Sequence, residues 1–257
     1  MDLGELEQRL KDGLSPSGID YVLEGDHASL AELLLRKMKA GSSHPVVYSE
    51  SKWWRYNDSI GIWEELEPVL FKRTIANMRA SVRWEIEPGS RKSPLIKITS
   101  NLLVSVMNLA QMFAESEGFF DCAENGLVFS NGFVIVTPKG PRLRPNAPEN
   151  RARFRYDFDY TEDGDCPAWI AFLDSLFAND EDKLQRMDFL QQFLGGALTG
   201  QSTTHSRALL LLGDGANGKS VLCDALAELF PGGSVVQVPP HAMTDTFHVV
   251  QLAGSTL

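Results

Sequence analysis

The chain has 257 residues, of which 43% are hydrophobic and 9% aromatic, so it can bury the core of one large domain or of two ordinary domains. Its net charge of −10 argues against a protein that binds nucleic acid over its whole surface. No apolar run reaches the ~18 residues that a membrane span needs, and the acidic N-terminus is unlike a signal peptide. We therefore expect a cytoplasmic protein that contacts no membrane.

Helical and strand patterns alternate in the first part of the chain. Residues 1–27 predict a mobile or loosely docked segment, and residues 28–40 then show the apolar periodicity of a helix. Three short antiparallel strands and two further helices are predicted over residues 45–48, 52–56, 61–64, 67–82 and 100–115. The strands carry aromatic residues that either fill the core of a small sheet or stack on nucleic-acid bases. These residues are Trp53, Trp54, Tyr56 and Trp63.

Basic residues are concentrated in two segments. Between positions 72 and 97 there are seven basic and two acidic residues, and this surface either contacts phosphate groups or is an ordinary solvated face. The second segment follows a predicted hairpin over residues 126–136, and it ends in an alternating stretch, 151–160, that is typical of an edge strand. An ordinary exposed strand would show the same alternation. Our first candidates for DNA contacts in this segment are Arg142, Arg144, Arg151 and Arg153.

The segment with the strongest functional signal follows two predicted helices, 166–178 and 182–198. Residues 208–212 form an apolar run that predicts a buried strand, and a glycine-rich turn leads from it into an amphipathic helix over residues 219–230. A second strand over residues 234–238 would complete one parallel, right-handed strand–helix–strand unit.

The glycine-rich turn matches the pattern G-x-x-x-x-G-K-[ST] of a phosphate-binding loop. Its glycines let backbone N–H groups converge on phosphate oxygens, and the following helix start adds further N–H donors. Lys219, the predicted catalytic residue, would reach the β- and γ-phosphates, and the Ser220 hydroxyl would bind Mg²⁺. We therefore predict ATP and Mg²⁺ as cofactors. The binding residues would be Gly213, Asp214, Gly215, Ala216, Asn217, Gly218, Lys219 and Ser220.

Several motifs together resemble the phage and plasmid primase-helicase family, a group of superfamily 3 AAA+ helicases related to the poxvirus-type primase-helicase. They are Asn131-Gly132 after an apolar strand, Cys166-Pro167-x-Trp169, Leu194-Gly195-Gly196-Ala197-Leu198-Thr199-Gly200, and the segment from Leu211 to Leu222. The similarity covers roughly residues 45–257, and its most specific part is residues 194–222.

The resemblance implies an ATP-driven hexameric ring that unwinds duplex DNA while it moves on single-stranded or forked DNA. Such a ring works with other replication proteins of a phage, prophage or plasmid, here in the cytoplasm of a bacterial host. The resemblance also implies a mixed α+β collar domain over residues 1–160. Residues 161–257 would then form a helical flank and the first strand–helix–strand unit of an α/β P-loop AAA+ ATPase domain with a parallel sheet.

The chain departs from such motors after Ser220. They need an apolar strand that ends in carboxylates, whereas Asp224, Glu228 and Asp245 do not follow an apolar strand, and no sensor residue or arginine finger can be assigned. We therefore expect a chain that is cut before its acidic strand, with a naturally shortened product as the alternative, and feeble or no ATP hydrolysis. Two other functions stay open: a P-loop kinase, and a non-catalytic DNA-binding or regulatory subunit that joins a full-length ring.

Overall fold

The computed structural model describes residues 14–15, 17–86, 94–199, 209–213, 218–231, 235–236, 238–239 and 242. Contacts divide the chain into two units, Met1–Ala123 and Glu124–Leu257. The domain boundary predicted near residue 160 stays a prediction. Most of the segment predicted to be mobile lies outside the described residues. Among those residues, no helix combines the length and the apolar composition that a bilayer crossing requires.

The first unit alternates strands and helices, and its elements confirm the predicted helices and the predicted three-stranded antiparallel sheet. The strands are β1 (Asp20–Leu23), β2 (Val47–Ser49), β3 (Lys52–Asn57), β4 (Ile62–Leu66) and β5 (Val82–Glu85). The helices are α1 (His27–Lys39), α2 (Pro68–Ser81) and α3 (Ser100–Ala114). Strands β2, β3 and β4 form the antiparallel sheet in that order.

A parallel pair of strands, β1 and β5, was not predicted from the sequence. The pairing runs from Asp20 opposite Val82 to Leu23 opposite Glu85, so the prediction of a loosely docked start is wrong for these residues. An ion pair fixes β1 further, because Lys37 near the end of α1 donates to the largely buried Asp20 carboxylate at 2.9 Å. Strand β1 is therefore held by both a backbone ladder and a side-chain bond.

Aromatic residues on the small sheet belong to the core of this unit. Trp53 is 1% exposed, and its ring stacks on Phe71 of α2 with the ring centroids 4.0 Å apart. Trp54, Tyr56 and Trp63 are also buried and form a second cluster with Phe120. Because each large apolar side chain contributes roughly 1.5–3 kcal/mol when it is buried, these rings stabilise the fold and are not available to stack on bases.

Asp26 caps the N-terminus of α1. Its carboxylate accepts a hydrogen bond from the Ser29 hydroxyl at 2.6 Å and another from the Ser29 backbone N–H at 3.0 Å. These bonds, the hydroxyl first, hold the pKa of Asp26 below its ordinary value of 3.8. The ionised carboxylate is thus the form that satisfies the helix start.

We expect Asp26→Ala to lower the free energy of unfolding by about 1 kcal/mol, because it leaves helix N–H groups without an acceptor. Since the pKa is lower in the folded state, the ionised cap stabilises the protein above pH ~3.8 and loses this effect as the pH falls through the folded-state value. Denaturant unfolding of the wild type, Asp26→Ala and Asp26→Asn between pH 3 and 7 tests this. Asn keeps a capping oxygen but does not titrate, so an acid sensitivity equal to wild type in Asp26→Asn would contradict the assignment.

The second unit combines a three-stranded antiparallel sheet with helices. Its elements are β6 (Gly126–Phe129), β7 (Gly132–Thr137), β8 (Gly140–Arg144), α4 (Pro167–Leu176), α5 (Lys183–Leu198) and α6 (Lys219–Leu229), with a short 3₁₀ helix at Pro148–Asn150. The predicted hairpin is present. The sequence pattern favours Asn131-Gly132 as its turn, whereas the turn residues are Ser130 and Asn131, since Phe129 pairs with Gly132. Gly132 has φ +150°, and a Cβ there would lie 2.4 Å from the Arg144 carbonyl oxygen, so the close approach of β8 requires glycine.

Residues 151–160 were predicted to form an edge strand, and this prediction is wrong. A single bridge joins Arg155 to Val128, and the remaining contacts are isolated bonds such as the Tyr156 N–H to the Val128 carbonyl at 2.8 Å. Aromatic packing replaces a regular ladder. Tyr156 stacks on Phe129 with the ring centroids 5.0 Å apart, and Phe158 contacts the edge of Phe129 and lies tilted against Tyr156. Alternation here reflects ring packing, which shows the same period as strand pairing.

Tyr156 links this aromatic cluster to the end of α6. Its hydroxyl donates to the Leu229 carbonyl at 2.8 Å, and burial raises the pKa of the phenol to about 12. Since this value exceeds the ordinary 10.0, the buried neutral phenol stabilises the folded state fully below pH 10. That stabilisation is lost as the pH rises through about 12.

Tyr156→Phe should therefore lower the free energy of unfolding near neutral pH by about 1 kcal/mol, because the Leu229 carbonyl loses its donor. Denaturant unfolding measures this change. The stability of the variant should also fall less than that of the wild type between pH 10 and 12. Tyr160→Phe is the matched control, since Tyr160 lies in the same cluster. Equal alkaline sensitivity of wild type and Tyr156→Phe would show that Tyr156 does not carry the effect.

Candidate nucleotide-binding site

Helix α6 begins where the sequence predicts the end of a phosphate-binding loop. Gly218 is the N-cap, in the left-handed conformation with φ +81° and ψ 0°, and Lys219 is the first helical residue. The Leu222 N–H donates to the Gly218 carbonyl at 2.9 Å, which is the first hydrogen bond of the helix. The N–H groups before Leu222 in the first turn therefore have no acceptor within the helix. The first turn contains no acidic residue, which keeps the positive end of the helix dipole uncompensated by side chains.

Lys219 connects the two ends of the glycine-rich turn. Its ammonium group donates to the Gly213 carbonyl at 2.7 Å, although five residues separate the two in the chain. Ser220 lies beside it, exposed in the first turn of α6. The structure thus brings Gly213, Gly218, Lys219 and Ser220 together, whereas the other predicted binding residues, Asp214, Gly215, Ala216 and Asn217, lie outside the described residues.

The apolar segment before the turn is not the predicted buried strand. Residues 209–213 have no strand pairing, and Leu210 and Leu212 are 76% and 81% exposed, while Leu209 and Leu211 pack on the helices. A central parallel strand is covered on both faces and bonded along its edges, whereas this segment is covered on one side only. The prediction of a second strand over 234–238 is also not met at Val235, Val236 and Val238, which have no strand structure.

Helices α4, α5 and α6 pack together next to the candidate site. Their buried leucines form one cluster, made of Leu173 from α4, Leu190 and Leu194 from α5, and Leu222 and Leu226 from α6. This confirms the predicted helices around the turn, and it fixes the direction of α6 relative to α4 and α5. The N-terminus of α6 is consequently held by a packed core rather than by a sheet within the described residues.

A cleft of about 740 Å³ opens beside Lys219. Leu209–Leu212, the connection from α4 to α5, and the first turns of α5 form its walls. Its apolar lining residues include Leu211, Phe189 and Leu222, and its polar lining residues include Asn179, Asp182 and Gln185. Arg186 also lines the cleft and is paired with Asp180 at 3.4 Å. Sequence reasoning missed these residues, because no motif marks a loop that contributes to a site only through packing.

The four arginines predicted to contact DNA lie in different settings. Arg142 is exposed on β8, two residues before Arg144 and on the same face of the strand. The Arg144 guanidinium is engaged internally: it pairs with Glu124, donates to the Asn150 side chain at 2.6 Å, and lies 5.0 Å from the Phe133 ring centroid. Arg151 ends the 3₁₀ helix with φ +51°, and Arg153 is half-buried in the irregular segment after it. DNA binding by these residues stays a prediction.

No group of three or more His, Cys, Asp and Glu side chains in the described part of the chain is arranged to hold a metal. Binding of Mg²⁺ at Ser220 stays a prediction.

Comparison with known protein families gives a match that covers residues 31–178. The matching model is that of the family described as D5 N terminal like, and the match includes more than half of the sequence. The match begins inside α1 and ends just after α4, so it includes neither α5 nor the turn at Lys219. No curated protein matches the chain.

The left-handed conformation of the N-cap residue Gly218 can be tested by its effect on stability. Gly218→Ala should lower the free energy of unfolding by about 1 kcal/mol, because φ +81° is strained for a residue with a Cβ. The new Cβ would also lie 2.9 Å from the Leu176 Cδ1 atom, a methyl group that can move. Gly195→Ala is the control, since a Cβ inside α5 meets nothing within 4 Å and should raise stability by ~0.5–1 kcal/mol. Equal effects of the two substitutions in denaturant unfolding would contradict the assignment.

Proposed function

Because the chain belongs to the D5 N terminal like family, the N-terminal part of phage and viral primase-helicase proteins, we propose that it is the ATP-binding portion of a replicative DNA helicase. The observation that carries this proposal is the start of α6, where Lys219 bonds to the Gly213 carbonyl across the glycine-rich turn. In the complete protein this portion belongs to a hexameric ring that translocates on single-stranded or forked DNA during replication.

The position of Lys219 supports phosphate binding. Its ammonium lies 2.7 Å from a carbonyl oxygen, and a phosphate oxygen is a stronger acceptor for the same group because it carries a negative charge opposite the positive donor. The N–H groups and the dipole at the start of α6 add favourable interactions with a negative charge. Phosphate would replace the Gly213 carbonyl as the partner of Lys219.

Ser220 and the cleft accommodate the remaining parts of the ligand. The exposed Ser220 hydroxyl would bind Mg²⁺, which neutralises charge on the phosphates to which it is bound. The cleft of about 740 Å³ lies within the ~300–1,000 Å³ range of small-molecule sites and borders Lys219, so we assign it to the base and ribose. Leu211 and Leu222 provide apolar contacts there, and the amides of Asn179 and Gln185 can hydrogen-bond to base edges.

Lys219→Ala should weaken ATP binding at least about tenfold, since removal of a hydrogen bond to a charged group costs ~1.5–3 kcal/mol. The measurement is a titration of the purified chain with ATP and Mg²⁺ by calorimetry. Lys139→Ala is the matched control, because it removes the same charge from an exposed position in the turn between β7 and β8 of the same unit.

Unchanged ATP affinity in Lys219→Ala would refute the proposed site. Turnover is followed in the same samples with and without single-stranded DNA. We expect binding with little hydrolysis, whereas hydrolysis that DNA stimulates and Lys219→Ala abolishes would show that this chain holds a complete ATPase site.

A further inference from the structure

The outer face of the strand pair β1–β5 carries an exposed tyrosine beside an arginine. Val22, Val82 and Trp84 point into the core of the first unit, so the alternate residues of both strands face away from it. Tyr21, which is 57% exposed, is the register partner of Arg83. The ring and the guanidinium therefore start from neighbouring positions on the same face of the sheet.

A groove continues this face toward α2. It has a volume of about 490 Å³ and is lined by Ala76, Asn77, Arg79, Ala80, Arg83 and Leu95. Because Ala76 and Ala80 have small side chains, an elongated ligand can approach the surface of α2 closely. Leu95, the bridge partner of Arg83, is 48% exposed and forms an apolar edge.

The arginines of the groove are placed to present positive charge. One guanidinium nitrogen of Arg83 donates to the Val82 carbonyl at 3.2 Å and to the Ala80 carbonyl at 3.5 Å, which holds the group at the end of α2. Arg79 is exposed on the last turns of α2, and Lys97, two residues after Leu95, is exposed as well. Glu85 shares the outer face of β5 and limits the positive area at that end.

We propose that this face, defined by Tyr21, Arg79, Arg83 and Leu95, binds single-stranded DNA. Arg79 and Arg83 contact successive phosphates, one base stacks on the Tyr21 ring, and Leu95 packs against a sugar or base. The proposal rests on the proposed function only for the choice of DNA as the ligand; the surface itself follows from the positions of these side chains.

The combination of groups favours a single strand. Arginines beside an exposed aromatic ring match the two requirements of single-strand binding, a positive groove for the backbone and a platform for unstacked bases. In a duplex the base faces are covered by their neighbours, so Tyr21 would have nothing to stack on. An apolar protein segment would leave Arg79 and Arg83 opposite uncharged groups, and so would gain nothing from them.

The test is fluorescence anisotropy of a labelled oligothymidylate of about 20 nucleotides, longer than typical sites of ~4–16 nucleotides, titrated with the full chain at several salt concentrations. Arg79→Ala should weaken binding about tenfold and reduce the slope of log K against log salt by ~0.7, the value for one phosphate contact. Arg73→Ala is the matched control, because Arg73 is exposed on the same helix but about 120° around its axis.

Stacking is tested separately at Tyr21. Tyr21→Phe should bind like the wild type, whereas Tyr21→Leu, which keeps an apolar side chain but removes the ring, should bind at least about fivefold more weakly. A duplex of the same length should bind more weakly than the single strand, and its affinity should not change in Tyr21→Leu.

Three results would overturn the proposal: no binding of the oligonucleotide by the wild type, equal losses in Arg79→Ala and Arg73→Ala, or loss only in variants of Arg142 and Arg153. ATP affinity, measured in the same samples, separates this proposal from the nucleotide site. Normal ATP binding together with any of these three results would refute the DNA-binding face and leave the nucleotide site unaffected. If only Lys219→Ala loses ATP binding, the two sites are independent of each other.

Discussion

The first unit depends on the parallel pairing of β1 with β5, which joins two segments that are far apart in the chain. The chain between the two strands forms α1, the antiparallel sheet and α2. These elements must pack so that the chain comes back to β1 and Val82 lies opposite Asp20. The inner face of the pair then completes a core with Leu30, Phe71 and Val106. The outer face is left with the residues that this core cannot accommodate, and Tyr21 and Arg83 are among them.

Elements with local signals could be predicted from the sequence. Helices α1, α2 and α3 show apolar periodicity over three turns or more, and the β6–β7 hairpin has two apolar strands around a two-residue loop. In these cases the pattern lies within one short window. The pairing of β1 with β5 has no such signal, because each strand is four residues long and the partner is chosen by tertiary contacts. Ring packing explains the error at residues 151–160, since it imitates the period of a strand.

Around the candidate site, too, local elements could be predicted and non-local ones could not. The motif around Lys219 correctly marked a helix start, because that start depends on a local backbone requirement, the left-handed Gly218. The nucleotide-binding role of the turn stays a prediction. The buried strand before it was a non-local inference, and the exposed Leu210 and Leu212 contradict it. The cleft formed with Asn179 and Gln185 depends on how three helices pack, which no spacing of residues encodes.

The ion pair between Asp20 and Lys37 has a consequence for the uniqueness of the first unit. Because side chains alternate along a strand, a slip of β1 by one position would turn Asp20 outward and Tyr21 inward. Lys37 would then lose its partner in a place where it is only 16% exposed, and breaking a pair that is largely removed from water costs more than the pair contributes when it is formed. The pair therefore specifies the register of β1. It adds little to the stability of the native structure, but it raises the free energy of the structure in which β1 is shifted by one residue.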